Sequence, residues 1–351
     1  LWKLALLAIG TAVLAPATAA ENARGQVFED LNSNGQLDPG EPGIPDVRVS
    51  NGRNVVATDA TGAYELKVDE EAVIFIAKPR GFTVPVNGHQ LPQFYYLHQP
   101  QGSPAGQRYP GIEPTGPLPE RINFPLRRAE VPRRFEAILI SDPQPQTEAE
   151  LDYIRDDVLP ELLGIQAQFG MTMGDILFDD LSMFPRYNAL IAQIGIPWYN
   201  VAGNHEMNFE AADDRHSLET FKRYYGPPYY SFEVGDALFV VLDNIEYQGN
   251  GQSDPGDVRG NGGYVAKLGR RQLDWLKNAL SFVQNDRLIF LARHAPLEAY
   301  VYDNPLEDRA ALFRLLAGRP NLYAVAGHTH TTEHHYFDAY AGFRGPGAFH
   351  H

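Results

Sequence analysis

Three observations in the sequence predict a small all-β sandwich domain followed by an α/β domain. The chain has 351 residues, of which 44% are hydrophobic, and this is enough for two separate cores. Between residues 21 and 130, short apolar–polar alternations are separated by Gly, Pro and Asn, as in β-sandwiches. From residue 133 to residue 351, apolar strands alternate with helical periods, which is typical of an α/β domain.

The composition limits the chemistry of the chain. The formal net charge is −15, from 29 basic and 44 acidic residues, and it argues against a nucleic-acid-binding surface. There is no cysteine, so disulfides, thiolate metal sites and cysteine nucleophiles are excluded. A metal site must therefore use His, Asp, Glu, Asn or Gln, which suit divalent ions such as Mg, Mn, Fe, Zn or Ca.

Residues 1–20, LWKLALLAIGTAVLAPATAA, predict a secretory signal peptide that is cleaved before Glu21. A lysine near the start is followed by an apolar run and a small-residue end. Pro16 makes the apolar run too short for a comfortable membrane span. We expect a periplasmic or secreted protein with no membrane span after signal removal, and we expect the second domain to be truncated where the chain stops at GAFHH.

In the first domain, the turn pairs Asn51-Gly52 and Thr61-Gly62 predict β-hairpins. Residues 82–119 are dense in proline and turn residues. They form either a long connection or irregular extra strands.

In the second domain, apolar runs predict strands at residues 135–141, 171–173, 197–202, 237–242, 288–292 and 322–326. Helices are predicted at residues 147–163, 270–283 and 306–318. Thr147 and Glu150 form a predicted capping box at the start of the first helix. Its predicted apolar face consists of Leu151, Ile154, Val158 and Leu162.

Metal-binding side chains follow five of these strands. They are Asp142 and Gln144, Asp175, Asn204, His294, and His328 and His330, with His205 next to Asn204. In α/β sheets, ligands bind beyond the carboxyl ends of the strands, so these side chains should meet in one crevice. Seven donors exceed the needs of one tetrahedral ion, and they fit two ions that share a carboxylate.

The ordered pattern D-x-Q, GD, GNHE, H and GHxH resembles that of the calcineurin-like metallophosphoesterases, over residues 135 to about 335. The resemblance implies a sandwich of two sheets flanked by helices, preceded by a small β-sandwich as in some secreted bacterial members. It implies a metal-dependent phosphoric ester hydrolase with two divalent ions (Mn, Fe, Zn or Mg). The implied substrate is a small-molecule phosphomonoester or phosphodiester, attacked by a hydroxide that bridges the metals.

The resemblance also assigns roles to the donors. The first metal is held by Asp142, Gln144 and His330, the second by Asn204, His294 and His328, and both by Asp175. His205 faces the substrate as a catalytic residue, beside the catalytic bridging carboxylate. Many members have His in place of Gln144 and Asp in place of Glu206, so the first metal is expected to be held more loosely and the orientation of His205 by Glu206 is in question.

Several nearby polar residues have plainer interpretations. We expect Asp179 and Asp180 to lie in a solvated loop at the rim of the site. We expect His334 and His335 to lie at the surface or behind the ligands. Asp243 is either a turn residue at a strand end or a residue at the edge of the site.

The stretch DLNSNGQLDPGE in the first domain matches a calcium-binding loop pattern. Its candidate ligands are Asp30, Asn32, Asn34, the Gln36 carbonyl, Asp38 and Glu41. The flanking residues predict strands, so the loop resembles those of bacterial surface β-sandwich modules. The alternatives are a structural calcium ion or an Asx-rich turn without one.

Three functions remain open on the sequence alone. The first is a dinuclear phosphoesterase. The second is a non-catalytic cell-surface or carbohydrate-binding protein whose phosphoesterase domain is degenerate, and the complete set of predicted ligands argues against it. The third is hydrolysis of another ester on the same scaffold.

Overall fold

The computed structural model describes residues 21–249, 263–300 and 305–351. The predicted signal peptide at residues 1–20 lies outside these ranges. Within them, every helix is too short or too polar to cross a lipid bilayer.

The secondary structure elements in the described ranges are named in chain order. The strands are β1 (Glu21–Glu29), β2 (Arg48–Ser50), β3 (Val55–Ala57), β4 (Ala63–Val68), β5 (Ala72–Ile76), β6 (Phe82–Thr83), β7 (Tyr95–His98), β8 (Phe124–Arg128), β9 (Ala137–Ile140), β10 (Phe169–Thr172), β11 (Trp198–Asn200), β12 (Tyr230–Val234), β13 (Ala237–Leu242), β14 (Ile245–Tyr247), β15 (Tyr264–Ala266), β16 (Leu288–Arg293), β17 (Leu322–Val325), β18 (Tyr336–Phe337) and β19 (Phe349–His350). The helices are α1 (Glu148–Tyr153), α2 (Leu159–Leu162), α3 (Phe184–Ile191), α4 (Glu219–Tyr225), α5 (Gly269–Leu280) and α6 (Arg309–Leu316).

The N-terminal part consists of two four-stranded sheets, ordered β4-β1-β8-β6 and β3-β2-β5-β7. The Asn51-Gly52 turn closes the predicted hairpin between β2 and β3. The Thr61-Gly62 turn does not form a hairpin, because β4 pairs with β1 instead of β3. This turn leads the chain from one sheet to the other. The apolar side chains that lie between the two sheets are part of the core.

The second part is a sandwich of two sheets with flanking helices, as the resemblance implied. One sheet contains the parallel strands β11-β10-β9, and the other has the order β12-β13-β16-β17-β19-β18. Aromatic rings fill the space between the sheets. The rings of Tyr199 and Phe232 stack with centroids 3.9 Å apart, and those of Phe169 and Phe239 meet edge to face at 4.9 Å.

The first predicted helix begins at its capping box, but its apolar face differs from the prediction. Thr147 and Glu150 cap α1 as expected. A wide π-type turn at Ile154–Val158 then separates α1 from α2. This turn shifts the helical phase by one residue, so Leu159 is buried and Val158 is exposed.

The two parts of the chain are joined by backbone and side-chain contacts. Lys78 of the N-terminal part pairs with Phe232 as an isolated parallel bridge at the edge of the larger sheet. Arg48 Nη2 lies 2.7 Å from Glu233 Oε1. The N–H of Trp198 donates to the carbonyl of Gln90 at 2.9 Å.

Candidate metal centre

The predicted metal ligands lie at the carboxyl ends of five strands from two sheets. Strands β9, β10 and β11 of the smaller sheet lead to Asp142 and Gln144, Asp175, and Asn204 and His205. Strands β16 and β17 of the larger sheet lead to His294, and to His328 and His330. The crevice therefore lies where the ends of the two sheets meet.

Asp175 lies at the centre of the cluster. Its Oδ1 is 3.1 Å from His294 Nε2, and its Oδ2 accepts a hydrogen bond from Gln144 Nε2 at 2.6 Å. His294 Nε2 is also 3.1 Å from Asn204 Oδ1. The rings of His294 and His328 have centroids 5.0 Å apart. Four of the predicted ligands thus surround the proposed bridging carboxylate.

A second group forms around Asp142. Its Oδ1 and Oδ2 accept hydrogen bonds from the N–H of His328 at 2.9 and 3.0 Å. Its Oδ1 lies 3.5 Å from His330 Nε2. The backbone N–H of Gln144 donates to the carbonyl of Asp175 at 3.2 Å, which connects the two groups. All seven predicted ligands are therefore brought into one continuous set of contacts.

The backbone at the centre is strained, and close packing requires glycine. A Cβ on Gly203 would overlap the carboxylate of Asp175. A Cβ on Gly174 would overlap the ring of His294. Six non-glycine residues around the centre adopt a positive φ, a conformation that costs free energy and is concentrated at functional sites: Asp142, Gln144, Asp175, Asp179, His328 and His330.

His205 is held in place by a carboxylate and an aromatic ring. Its Nδ1 lies 2.7 Å from Asp179 Oδ1, and its ring stacks on Phe178 with centroids 4.2 Å apart. Its Nε2 lies 3.9 Å from Asp175 Oδ2. Burial alone would lower the pKa of His205, but the hydrogen bond to Asp179 and the charge of Asp175 raise it above its ordinary value.

Glu206 does not orient His205, which answers the question that the sequence left open. Its Oε1 accepts hydrogen bonds from the N–H groups of Ile176 and Leu177 at 2.8 and 3.2 Å, and its Oε2 accepts one from Gly203 at 2.8 Å. The buried carboxylate thus ties the turn after β10 to the turn after β11. The partner of His205 is Asp179, which we expected to lie in a solvated loop.

The charges of the cluster depend on one another. Burial alone would lower the pKa of His294, but the charge and hydrogen bond of Asp175 raise it to about 9. Burial, together with the charge of the nearby His294, lowers the pKa of His328 to about 3. His328 is therefore neutral, which is the form in which imidazole binds metals.

The donors fit a divalent cation. One carboxylate oxygen and two imidazole nitrogens, from Asp175, His294 and His328, all lie within 4.8 Å of one another. Mixed nitrogen and oxygen donors of this kind suit Mn, Fe or Zn. Gln144 currently directs its Nε2 at Asp175, and a half-turn of the amide would present Oε1, the atom that can bind a cation.

The predicted calcium loop gathers its side chains on the surface of the N-terminal part. Asp38 Oδ2 accepts hydrogen bonds from Nδ2 of Asn32 and Asn34 at 2.8 and 2.7 Å. Asp30 accepts from the N–H groups of Asn34 and Gly35, and Glu41 from those of Leu31 and Asp38. Gln36 takes part in this loop through its backbone, because its N–H donates a hydrogen bond to Asn34 Oδ1 at 2.7 Å.

The remaining residues of interest lie outside the cluster. Asp243 follows β13 and accepts a hydrogen bond from the N–H of Ile245 at 3.3 Å, as a turn residue does. His334 is exposed. His335 is buried, and its Nε2 lies 2.8 Å from Glu333 Oε2. In the sequence, the signal for the contact of Asp179 with His205 was its position four residues after Asp175.

The chain was compared with curated protein sequences and with solved structures. No curated protein sequence matches the chain. A dimetal phosphatase from Danio rerio is similar in structure, with 16% identity and a TM-score of 0.42, over 58% of this chain and 84% of that one. A cold-active protein-tyrosine phosphatase from a psychrophilic Shewanella species has 12% identity and a TM-score of 0.19, over 58% of this chain and 61% of that one.

Two family models match the sequence itself. Residues 31–109 match the model described as the N terminal of calcineurin-like phosphoesterase. Residues 137–332 match the model of the calcineurin-like phosphoesterase domain, which is more than half of the chain. The chain therefore belongs to the calcineurin-like phosphoesterase family.

Proposed function

We propose that the protein hydrolyses small-molecule phosphomonoesters or phosphodiesters with the help of two divalent metal ions. The observation that carries this proposal is the continuous set of seven donors at the junction of the two sheets. Asp142, Gln144 and His330 would hold one ion, Asn204, His294 and His328 the other, and Asp175 both. When bound, such ions neutralise phosphate oxygens and lower the pKa of water.

His205 supplies proton chemistry beside this centre. Its raised pKa favours the protonated form of the ring, and Asp179 contacts Nδ1, so that Nε2, on the side of Asp175, can face a substrate. A protonated Nε2 can donate a hydrogen bond to the phosphate and then its proton to the leaving oxygen. Phe178 restricts the rotation of the ring, so the donor is already oriented before the substrate arrives.

An aryl ester assay with matched histidine variants tests the proposal. The protein is loaded with Mn, its bound metal is measured by elemental analysis, and hydrolysis of p-nitrophenyl phosphate and bis(p-nitrophenyl) phosphate is followed. We expect His205→Ala to lower turnover by about 10²- to 10⁴-fold with its metal content unchanged. His334→Ala, which changes an exposed histidine, is the control.

The outcomes of the assay separate the candidate functions. A metal-loaded wild-type protein that hydrolyses neither ester contradicts the proposal and favours a degenerate, non-catalytic domain. Hydrolysis of a carboxylic ester alone would favour an ester hydrolase of another kind. Preference for one of the two phosphate esters defines the protein as a monoesterase or a diesterase.

We further propose that the loop at residues 30–41 binds a structural calcium ion. The convergence of Asp30, Asp38 and Glu41 with two Asn side chains supports this. Calcium should raise the thermal unfolding temperature of the metal-loaded protein, and EGTA should reverse the rise. Asp30→Ala should abolish the response to calcium but retain esterase activity; an equal calcium response in that variant would contradict the site.

We also propose that the protein is periplasmic or secreted. The apolar run and small-residue end of residues 1–20 support this proposal. Expression of the chain behind an initiator methionine, followed by fractionation and N-terminal sequencing, tests it. A protein retained in the cytoplasm with residues 1–20 uncleaved would contradict it.

A further inference from the structure

A cavity of about 590 Å³ lies between the N-terminal sandwich and the second part of the chain. One wall includes Phe75 and His98 of the N-terminal sandwich, and the other includes Asp214, Asp243 and Tyr229. Cavities that bind small ligands commonly have volumes of about 300–1,000 Å³, so this one has the right size. None of the seven predicted metal ligands lines it, so it is separate from the proposed active site.

The basic side chains around the cavity are almost all committed to other partners. Arg270 forms no ion pair with the residues that the structure describes, and it is exposed. Four basic residues of the walls each form an ion pair: Arg215 with Glu71, Arg271 with Asp69, Lys267 with Glu246, and Lys222 with Glu219. Little positive charge therefore remains to compensate further carboxylates.

Two carboxylates in the walls are influenced by the positive charge of Lys222, which is itself paired with Glu219. Neither Asp214 nor Asp243 forms an ion pair with any residue in the described ranges. Asp214 accepts a hydrogen bond from the N–H of Tyr247 at 2.7 Å, and Asp243 accepts one from that of Ile245 at 3.3 Å. Burial raises the pKa of Asp243 to about 8, and the charge of Asp214 contributes. The pKa of Asp214 is also raised, by partial burial of its carboxylate, although the residue as a whole is exposed.

His98 provides an independent sign of a missing partner. It is only 4% exposed, it lines the cavity, and its Nδ1 has no hydrogen-bond partner among the residues that the structure describes. Burial lowers its pKa, so the ring is neutral. An unsatisfied buried ring nitrogen is costly unless a ligand or water reaches it.

We propose that this cavity binds a polar ligand with a positively charged amino group, and that amino sugars are the class that fits best. The ammonium group would pair with Asp214 and Asp243 and would favour the charged form of Asp243. A hydroxyl group would satisfy His98 Nδ1. The aromatic rings of Phe75 and Tyr229 in the walls suit the apolar faces of a sugar ring. The ligand would contact both parts of the chain, so its binding would stabilise their association.

D-glucosamine and D-glucose provide a matched pair of probes, because they differ in the ammonium and hydroxyl groups at one carbon. Each is titrated into the metal-loaded full chain by calorimetry, and thermal unfolding is followed in parallel. We expect glucosamine to bind and to raise the unfolding temperature. We expect glucose to bind at least about tenfold more weakly, because it lacks the charge that the carboxylates recognise.

Three variants locate the binding. Asp243→Asn should weaken glucosamine binding by about tenfold or more, because the amide keeps the shape and loses the charge. Asp214→Asn should also weaken glucosamine binding by about tenfold or more. This second variant tests the site if Asp243→Asn does not fold. Asp156→Asn changes an exposed carboxylate paired with Arg155, and it should bind as the wild type does.

The proposal is overturned by any of three results. These are the absence of glucosamine binding, equal binding of glucosamine and glucose, and wild-type binding by both Asp243→Asn and Asp214→Asn. Esterase activity is measured separately, so a failure here does not affect the proposed phosphoesterase function.

Discussion

In the proposed metal centre, a proton and a metal ion would compete for the same nitrogen of His294. Asp175 Oδ1 lies 3.1 Å from Nε2, and its charge is the main reason why the pKa of this buried imidazole rises to about 9 instead of falling. A cation can bind Nε2 only after the proton has left. Metal binding and the charge of this pair are therefore linked.

Metal affinity should consequently increase with pH. Below the pKa of about 9, His294 is mostly protonated, so each increase of one pH unit should raise the apparent affinity for Mn by up to about tenfold. Calorimetry between about pH 6 and about pH 8.5, in buffers with different ionisation enthalpies, measures the affinity and the protons released. Affinity that is independent of pH, with no proton release, would contradict this interpretation.

Asp179 should act as a positioning residue for His205. Asp179→Asn keeps a hydrogen-bonding group but removes the charge that raises the pKa of His205. We expect turnover to decrease by about 10- to 100-fold. The loss of activity at high pH, where His205 is deprotonated, should begin at a lower pH than in the wild type.

A pH–rate profile with wild-type metal content distinguishes this role from a structural one. Asp180→Asn is the control at the neighbouring position. The carboxylate of Asp180 accepts a hydrogen bond from the Ser182 hydroxyl and not from His205. An unchanged profile in Asp179→Asn, with only lower stability, would mean that the carboxylate does not act through His205.

The sequence predicted which side chains meet at the strand ends, but not the residues that hold them in place. Strand ends followed by Asp, Asn and His could be recognised without coordinates, because their positions follow from the topology of the sheets. The roles of Glu206 and Asp179 could not, because they depend on side-chain direction after a turn. Glu206 adjoins His205 in the chain and yet points to the N–H groups of Ile176 and Leu177.

At the scale of secondary structure elements, the strand-end turns pack so tightly that they tolerate no side chain. Gly203 follows β11 and has an ordinary negative φ, so alanine at this position meets no conformational barrier. Its Cβ would nevertheless overlap Asp175, which follows β10. The two turns can therefore approach each other this closely because residue 203 has no side chain.

Gly203→Ala should displace Asp175 and weaken the binding of both metal ions. We expect a loss of stability of about 1–3 kcal/mol from the overlap, and greatly reduced metal content by elemental analysis. Gly318→Ala is the matched control, because its Cβ would meet no atom within 4 Å. Wild-type metal content in Gly203→Ala would show that the turns can separate without loss of the site.

The helical elements show where prediction from periodicity ends. The capping box of Thr147 and Glu150 specifies a local start, and it was predicted correctly. The register further along was not, because the π-type turn at Ile154–Val158 buries Leu159 in place of Val158. The apolar periodicity of 3.6 residues in a sequence does not reveal where a helix accommodates an extra residue. The π-type turn depends on how the helix packs on the sheet.

At the scale of the whole molecule, Glu233 connects the two parts of the chain. It lies in β12, at the edge of the larger sheet. Its carboxylate lies 2.7 Å from Arg48 Nη2, accepts a hydrogen bond from the N–H of Arg80 at 3.0 Å, and lies 3.4 Å from Arg287 Nη2. Burial lowers the pKa of Arg48, and the charge of Glu233 counteracts this. The buried guanidinium thus depends on a carboxylate from the other part.

Glu233→Gln should therefore weaken the association of the two parts. Removing one member of a largely buried ion pair leaves the other uncompensated, and we expect a loss of about 2–4 kcal/mol in the free energy of unfolding. Glu65→Gln breaks an exposed pair with Arg24 within the N-terminal sandwich, and it should have little effect on stability because water screens this pair. Urea unfolding of both variants, with metal loaded, measures the difference. Equal effects of the two variants on the free energy of unfolding would show that other contacts hold the parts together and that Glu233 contributes little. A second unfolding transition in Glu233→Gln alone would show that the parts unfold separately once this carboxylate is neutral.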